Sequence, residues 1–293
     1  IAAIQNRPLS SDVLAILTSF VNAGDPTPLS ILSRIWQNED QAMLKSVLNA
    51  WIRPEFTQQI LFCSGQNHIM AVLADDLKTR QDLRKFQALE FIALILSQLH
   101  PFRHLSGGSI GPDTQSWTTA IRDGLVDILS SRTNAEQRRL VLLTSWFMLD
   151  CFGYSWATAG EPIHDRSPAL LITTIAIEAR VLLECYSERP AEDMETLRVC
   201  FIIANTAISF LVDDDSAFSS WQCRSEHHWS KLPPESIMTI HSRLSEVIRA
   251  IFAFLVECET QERYQDPIMP YVLRVLGTWV REGNSLLLDC SVY

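Results

Sequence analysis

The chain is poor in glycine, with 10 in 293 residues. Nowhere do Asn-Gly or Asp-Gly join two alternating apolar runs, the pattern that marks a β-hairpin, so strands are not expected. Basic residues are also in the minority: 24 Lys and Arg against 34 Asp and Glu give a formal charge of −10. Nucleic-acid affinity depends largely on basic side chains that neutralise phosphate, so this balance argues against nucleic acid and anionic membrane as main partners. No N-x-S/T acceptor occurs, and Ile1-Ala2-Ala3-Ile4-Gln5 lacks the basic and apolar regions of a signal peptide. The longest nearly uninterrupted apolar run, Val199 to Val212, contains Asn205, Thr206 and Ser209 and is shorter than the roughly 18 residues of a membrane span. It reads as a core helix, with no membrane insertion. The seven cysteines (Cys63, Cys151, Cys185, Cys200, Cys223, Cys258 and Cys290) are odd in number and widely spaced, as expected of reduced, core-filling thiols in a cytoplasmic protein. An isoleucine at position 1 makes a piece of a longer chain the expectation.

What the sequence does contain is helical grammar. From Ala135, the residues Leu140 to Leu143, Trp146 to Leu149 and Phe152 fall on every side of a helix, which must therefore be buried. Thr133 and Glu136 have capping-box spacing, and Gly153 supplies a left-handed stop. Ser167-Pro168 opens a second helix with a cap and a first-turn proline, followed by Leu171, Ile175, Ala179, Leu182 and Tyr186 at helical spacing. Similar patterns predict about a dozen helices. They run near 11–21, 28–37, 39–52, 54–63, 67–77, 80–99, 113–129 and 190–212, through the pair just described, and from Ile237 to Leu255 and Pro267 to Val280. Short turns and wholly apolar helices suggest one all-α array over 1–293, an armadillo- or HEAT-like solenoid with degenerate repeats. The exception is a polar loop of about twenty residues at 213–233, a length usually associated with function or disorder.

Few residues offer chemistry. Gly107-Gly108-Ser109-Ile110-Gly111 matches G-x-S-x-G, yet a nucleophile elbow needs a strand entering the serine and a helix leaving it; here a helix-helix loop explains the glycines. The loop also lacks the lysine and Ser/Thr of a phosphate-binding loop. Cys223, His227 and His228, with Asp213 to Asp215 upstream, could supply metal ligands, but the spacing matches no zinc pattern and a solvated loop is the simpler reading. A helical hydrolase using Ser109, or a metal enzyme using the Cys223/His227/His228 loop, is therefore the alternative rather than the leading view. No cofactor is implied. His100 and His104 suit the capping of free carbonyls at a helix end. Arg180 and Glu184 are four apart and suit an ordinary ion pair, whereas Glu178 and Arg180 face different ways. Trp221 and Trp229, large aromatics in a polar loop, are the candidate partner-binding residues, since such side chains often anchor interfaces; folding back over the core is the other option.

The run Trp146-Phe147-Met148-Leu149-Asp150-Cys151-Phe152-Gly153-Tyr154-Ser155-Trp156, then Gly160, then Leu170 to Glu184, resembles the central region of the neurochondrin family. So does Leu244 to Val256 followed by Arg274-Val275-Leu276-Gly277-Thr278-Trp279-Val280-Arg281-Glu282, an R-x-L-G-x-W-x-x-E pattern; Asp76 to Leu96 is a weaker likeness. The resemblance implies a cytoplasmic armadillo-like scaffold without catalytic residues. It further implies a role in neurite outgrowth and in modulating receptor and kinase signalling, with signalling-protein segments as partners. A structural subunit of a larger assembly is a further alternative.

Overall fold

The computed structural model describes residues 32–33, 35–37, 69–97, 112–153, 155–158, 167–186, 190–212 and 232–286. Among them are nine bounded helices and no strand: α1 (Ile69–Thr79), α2 (Leu83–Ser97), α3 (Pro112–Ser130), α4 (Ala135–Phe152), α5 (Ser155–Thr158), α6 (Ser167–Glu184), α7 (Pro190–Val212), α8 (Pro234–Thr260) and α9 (Met269–Leu286). Nine differs from the dozen expected. Of the helices predicted before residue 64, only positions 32–33 and 35–37 fall in the described set, and they are helical. Two compact units divide the chain, Ile1–Gly124 and Leu125–Tyr293, with the division inside α3.

In the first unit α1 and α2 pack against each other. Asp76, on α1, is buried, and its carboxylate is held by three donors. Trp36 Nε1 lies 2.7 Å away, Arg84 Nε 2.8 Å and Arg80 Nε 3.3 Å. Arg84 also stacks over the Trp36 ring at 4.9 Å and donates to the Trp36 carbonyl at 3.1 Å. Trp36 then meets Phe91 of α2 edge-on at 5.5 Å. A buried carboxylate is tolerated only when compensated in this way. On α3, Gly124 lets the backbone come close to Leu77, because a Cβ there would sit 2.6 Å from the Leu77 Cγ. Lys78 and Asp123 pair beside it at 2.9 Å.

In the second unit the first turn of α4 is capped one residue later than predicted. Asn134, not Thr133, accepts from the Gln137 backbone at 2.8 Å, and the Gln137 side chain accepts from the Asn134 N–H at 3.1 Å. Thr133 instead gives its carbonyl to Arg138 Nη1 at 2.6 Å. The all-round burial predicted for α4 holds from Val141 to Leu149 except Leu143, which is half-buried, while the helix start is exposed. Gly153 ends α4 at φ 72 and ψ 175, with its N–H on the Leu149 carbonyl. The positive φ was expected; its ψ lies outside the left-handed helical region, in a conformation essentially reserved for glycine. The turn is required because the unpredicted α5 follows at once and seats Trp156 and Ala157 in the core.

Packing in this unit skips along the chain. The most extensive contact joins α6 to α8, the next α7 to α9; α7 also touches α6 and α4, whereas consecutive α8 and α9 touch little. α8 buries Ile240, Leu244, Val247, Ile248, Ile251, Phe254 and Cys258 along one stripe; the sequence pattern predicts Ile237, Ile240, Leu244, Val247, Ile248, Ile251 and Leu255, of which Ile237 and Leu255 are only half-buried. Within α7, Asp193–Leu211 is long and apolar enough to cross a membrane by length and composition. Its contacts with α4, α6 and α9 are those of a core helix. Among the described cysteines there is no disulfide, and Cys185, Cys200 and Cys258 are free thiols.

Candidate functional site

Most residues singled out for chemistry lie outside the described residues: His100, His104, Ser109, Asp213 to Asp215, Trp221, Cys223, His227, His228 and Trp229. Among the described residues no group of three or more His, Cys, Asp or Glu side chains is placed to hold a metal ion. Of the charged trio on α6, Arg180 and Glu184 form the expected ion pair at 3.9 Å, exposed to solvent. Glu178 is brought instead to Arg138 of α4, whose Nε donates to its carboxylate. This is an interhelical clamp.

A second polar cluster closes the far end of α6 and α8. Tyr186 donates its hydroxyl to Asp266 Oδ1 at 2.8 Å and meets Phe254 edge-on at 5.5 Å. Asp266 Oδ1 also accepts from the Ile268 N–H at 3.1 Å. Arg263 lies over Phe254 at 5.7 Å and pairs with Glu257 at 3.1 Å. Burial, and then the Asp266 carboxylate, push the Tyr186 phenol far above its ordinary range. Burial likewise raises the thiols of Cys200 and Cys258, with the Glu178 charge adding to the effect at Cys200. Such groups stay protonated and are poor nucleophiles. The arrangement holds helix ends together.

What the unit does present is apolar surface. Ile177 and Val181 are 47% and 45% exposed on α6, and Phe252 and Val256 are 53% and 61% exposed on α8, the helix that packs against it. Leu273 and Val280 are 55% and 57% exposed on α9. Sequence reasoning assigned α6 to the core, and read α8 and α9 as amphipathic helices without saying which residues face outward. The signal that separates them is local: Arg180 and Glu184 share the face of Ile177 and Val181, and a solvated ion pair marks that face as outward.

Among known proteins, a family model described as Neurochondrin matches residues 64–289. Proteins similar to this chain include chicken neurochondrin, 24% identical over 226 residues, covering 75% of this chain and 29% of the relative. Human neurochondrin is 24% identical over 223 residues, covering 75% and 26%, and that of Xenopus laevis is 21% identical over 226 residues, covering 77% and 29%. This chain thus spans less than a third of the length of the curated relatives it matches. No solved structure matches. The matched segment begins before α1 and runs through α9, taking in the Arg138–Glu178 clamp, Gly153 with its tucked Trp156, and both exposed apolar faces. The chain belongs to the neurochondrin family.

Proposed function

We propose that this protein is a non-enzymatic scaffold that binds cytoplasmic segments of signalling proteins, such as receptor tails or kinase regulatory segments, on the outer face of a helical-repeat array. The observation that carries the reading is the exposure of Ile177, Val181, Phe252 and Val256 on two helices packed side by side. Isolated exposed apolar residues are ordinary; several on adjoining helices mark an interaction surface. The alternate-helix packing of α6 with α8 and α7 with α9 supports the repeat-array reading, since such arrays stack equivalent helices of successive units and bind along the resulting face. Family membership supports the scaffold role in general terms.

The test is a binding titration of the purified protein against synthetic peptides from receptor tails and kinase regulatory segments. Saturable binding by a subset is expected, with loss of at least tenfold in affinity for I177E/F252E at an unchanged thermal midpoint. Absence of saturable binding across the panel, or binding indifferent to that variant, overturns the reading.

A further inference from the structure

The connection from α8 to α9, residues 261–268, sends its side chains inward and outward by turns. Glu262, at φ 55, reverses the chain at the end of α8. Arg263 then lies inward, over the Phe254 ring and paired with Glu257, and Asp266 lies inward on the Tyr186 hydroxyl. The two residues between them point the other way. Tyr264 is 63% exposed, and Gln265 is exposed beside it. Among the described residues no hydrogen bond or ring contact reaches the Tyr264 side chain, and neither Tyr264 nor Gln265 donates its backbone N–H to another backbone group.

This sets Tyr264 apart from the other described tyrosines. Tyr186 is buried with its hydroxyl on Asp266, and Tyr271 is half-buried within α9; Tyr154 and Tyr293 lie outside the described residues. An enzyme that modifies a tyrosine hydroxyl must draw the ring into a cleft and pair with the flanking backbone. A helix resists this, because its N–H and C=O groups are already bonded to each other. Tyr264 offers a free hydroxyl and unpaired backbone N–H groups at the same place. The charge around it is one-sided as well. Glu259 and Glu262, both exposed, precede it by five and two residues, while the neighbouring Arg263 is turned inward and engaged by Glu257.

We infer that Tyr264 is a phosphorylation site for a tyrosine kinase whose substrate groove carries basic side chains for acids on the N-terminal side of the target. Kinases discriminate substrates by charge patterns of this kind. In the reaction the Tyr264 oxygen bonds to the γ-phosphorus of ATP as the bond from that phosphorus to the bridging oxygen breaks. ADP leaves with the electron pair, and the phenolic proton passes to the carboxylate base of the kinase. The product is a phosphate of about −1.5 to −2 charge on the outer side of the turn, a group that arginine clusters of partner proteins recognise. The site is separate from the α6–α8 face and does not depend on it.

The experiment incubates the whole chain with magnesium, ATP and the catalytic domain of a tyrosine kinase that prefers acidic substrates, and follows the occupancy of each tyrosine by mass spectrometry. Tyr264 is expected to be modified at least tenfold faster than Tyr186 and Tyr271, at a rate within tenfold of that of a synthetic peptide spanning residues 256–269. E259K/E262K should slow modification of Tyr264 at least fivefold. Since Glu259 and Glu262 are exposed, this variant is expected to keep the native thermal midpoint, which separates lost recognition from lost folding. Modification of Tyr264 no faster than that of Tyr186 overturns the inference, as does a rate indifferent to E259K/E262K. If the peptide is modified and the whole chain is not, the fold withholds the tyrosine and the inference is likewise overturned.

Discussion

The guanidinium of Arg138, on α4, donates through Nε to the carboxylate of Glu178, on α6, forty residues further along the chain. The same guanidinium gives Nη1 to the Thr133 carbonyl just ahead of its own helix. One side chain thus fixes the approach of the chain into α4 and the placement of α6. Glu178→Ala is expected to destabilise the fold by about 1.5–3 kcal/mol, the range for a charge-assisted hydrogen bond. A double-mutant cycle with Arg138→Ala in urea should return a coupling of about 1 kcal/mol; additive effects of the two single changes would deny the clamp.

Asp76 is the more demanding site. Its buried carboxylate collects Trp36, Arg80 and Arg84, and removing it leaves the buried indole N–H without its acceptor and takes from Arg84 the carboxylate partner of its Nε. Asp76→Ala should cost about 3–5 kcal/mol, as expected when one partner of a buried ion pair is deleted. Asp76→Asn keeps one acceptor oxygen and should cost less. Denaturant midpoints of the two variants provide the comparison, and equal loss would mean that charge matters more than hydrogen bonding.

Two glycines in helices should respond in opposite directions to alanine. At Gly124 the added Cβ would meet the Leu77 side chain at 2.6 Å and its carbonyl oxygen at 2.9 Å. Gly124→Ala should therefore destabilise by about 1–3 kcal/mol through overpacking. At Gly277 the space is open, and Gly277→Ala should stabilise by about 0.5–1 kcal/mol through helix propensity. Thermal midpoints that move the same way in both variants would contradict this.

The end of α8 holds a strained residue. Glu262 has φ 55, the only positive φ among the described non-glycine residues. The Arg263 N–H reaches back to the Cys258 carbonyl and the Glu262 N–H to that of Glu259, a Schellman arrangement that normally uses glycine. Glu262→Gly should raise stability by about 1 kcal/mol. A fall in urea midpoint would show that the Glu262 side chain contributes more than its backbone costs.

Alkaline pH should weaken the fold in two stages. The folded values of Cys200, Cys258 and Tyr186 all lie above their ordinary values of 9.0, 9.0 and 10.0. Below pH 9 each group is protonated in both states, and the contribution to stability is complete. As pH rises the unfolded chain releases these protons first, so stability falls, by up to about 1.4 kcal/mol per pH unit for each group. C200A/C258A should flatten the fall between pH 9 and 10, and Tyr186→Phe the part above 10. Urea titrations across that range would reject the assignment if the wild-type profile were flat.

Much of the helical framework was legible because apolar spacing is local. The bounds of α7 were predicted to the residue, and the stripe of α8 nearly so. What the sequence concealed was relational. The spacing of Thr133 and Glu136 suggests one capping box, whereas the helix starts a residue later on Asn134 and Gln137, with the Thr133 carbonyl engaged by Arg138. The partner of Glu178 stands forty positions off, where no spacing rule reaches. Ile177 and Phe252 occur in apolar runs, so only knowing which helices face each other shows them to be outside. The candidate surface was accordingly less legible than the fold: Trp221 and Trp229 lie outside the described residues, and the exposed Ile177 and Val181 belong to a helix that reads as core.

The alternation of neighbours in the second unit bears on covalent continuity. Because α6 finds its principal partner in α8 and α7 finds its own in α9, the chain on either side of the 213–231 link is stitched together by side chains rather than by that link. Tyr186 and Asp266 make one such stitch, Asn205 and Thr278 another at 2.7 Å. A chain cut once between α7 and α8 would leave α6 and α7 in one piece and their partners α8 and α9 in the other, and reassembly would restore both pairs. The unit is, in this sense, a split protein that happens to be synthesised whole.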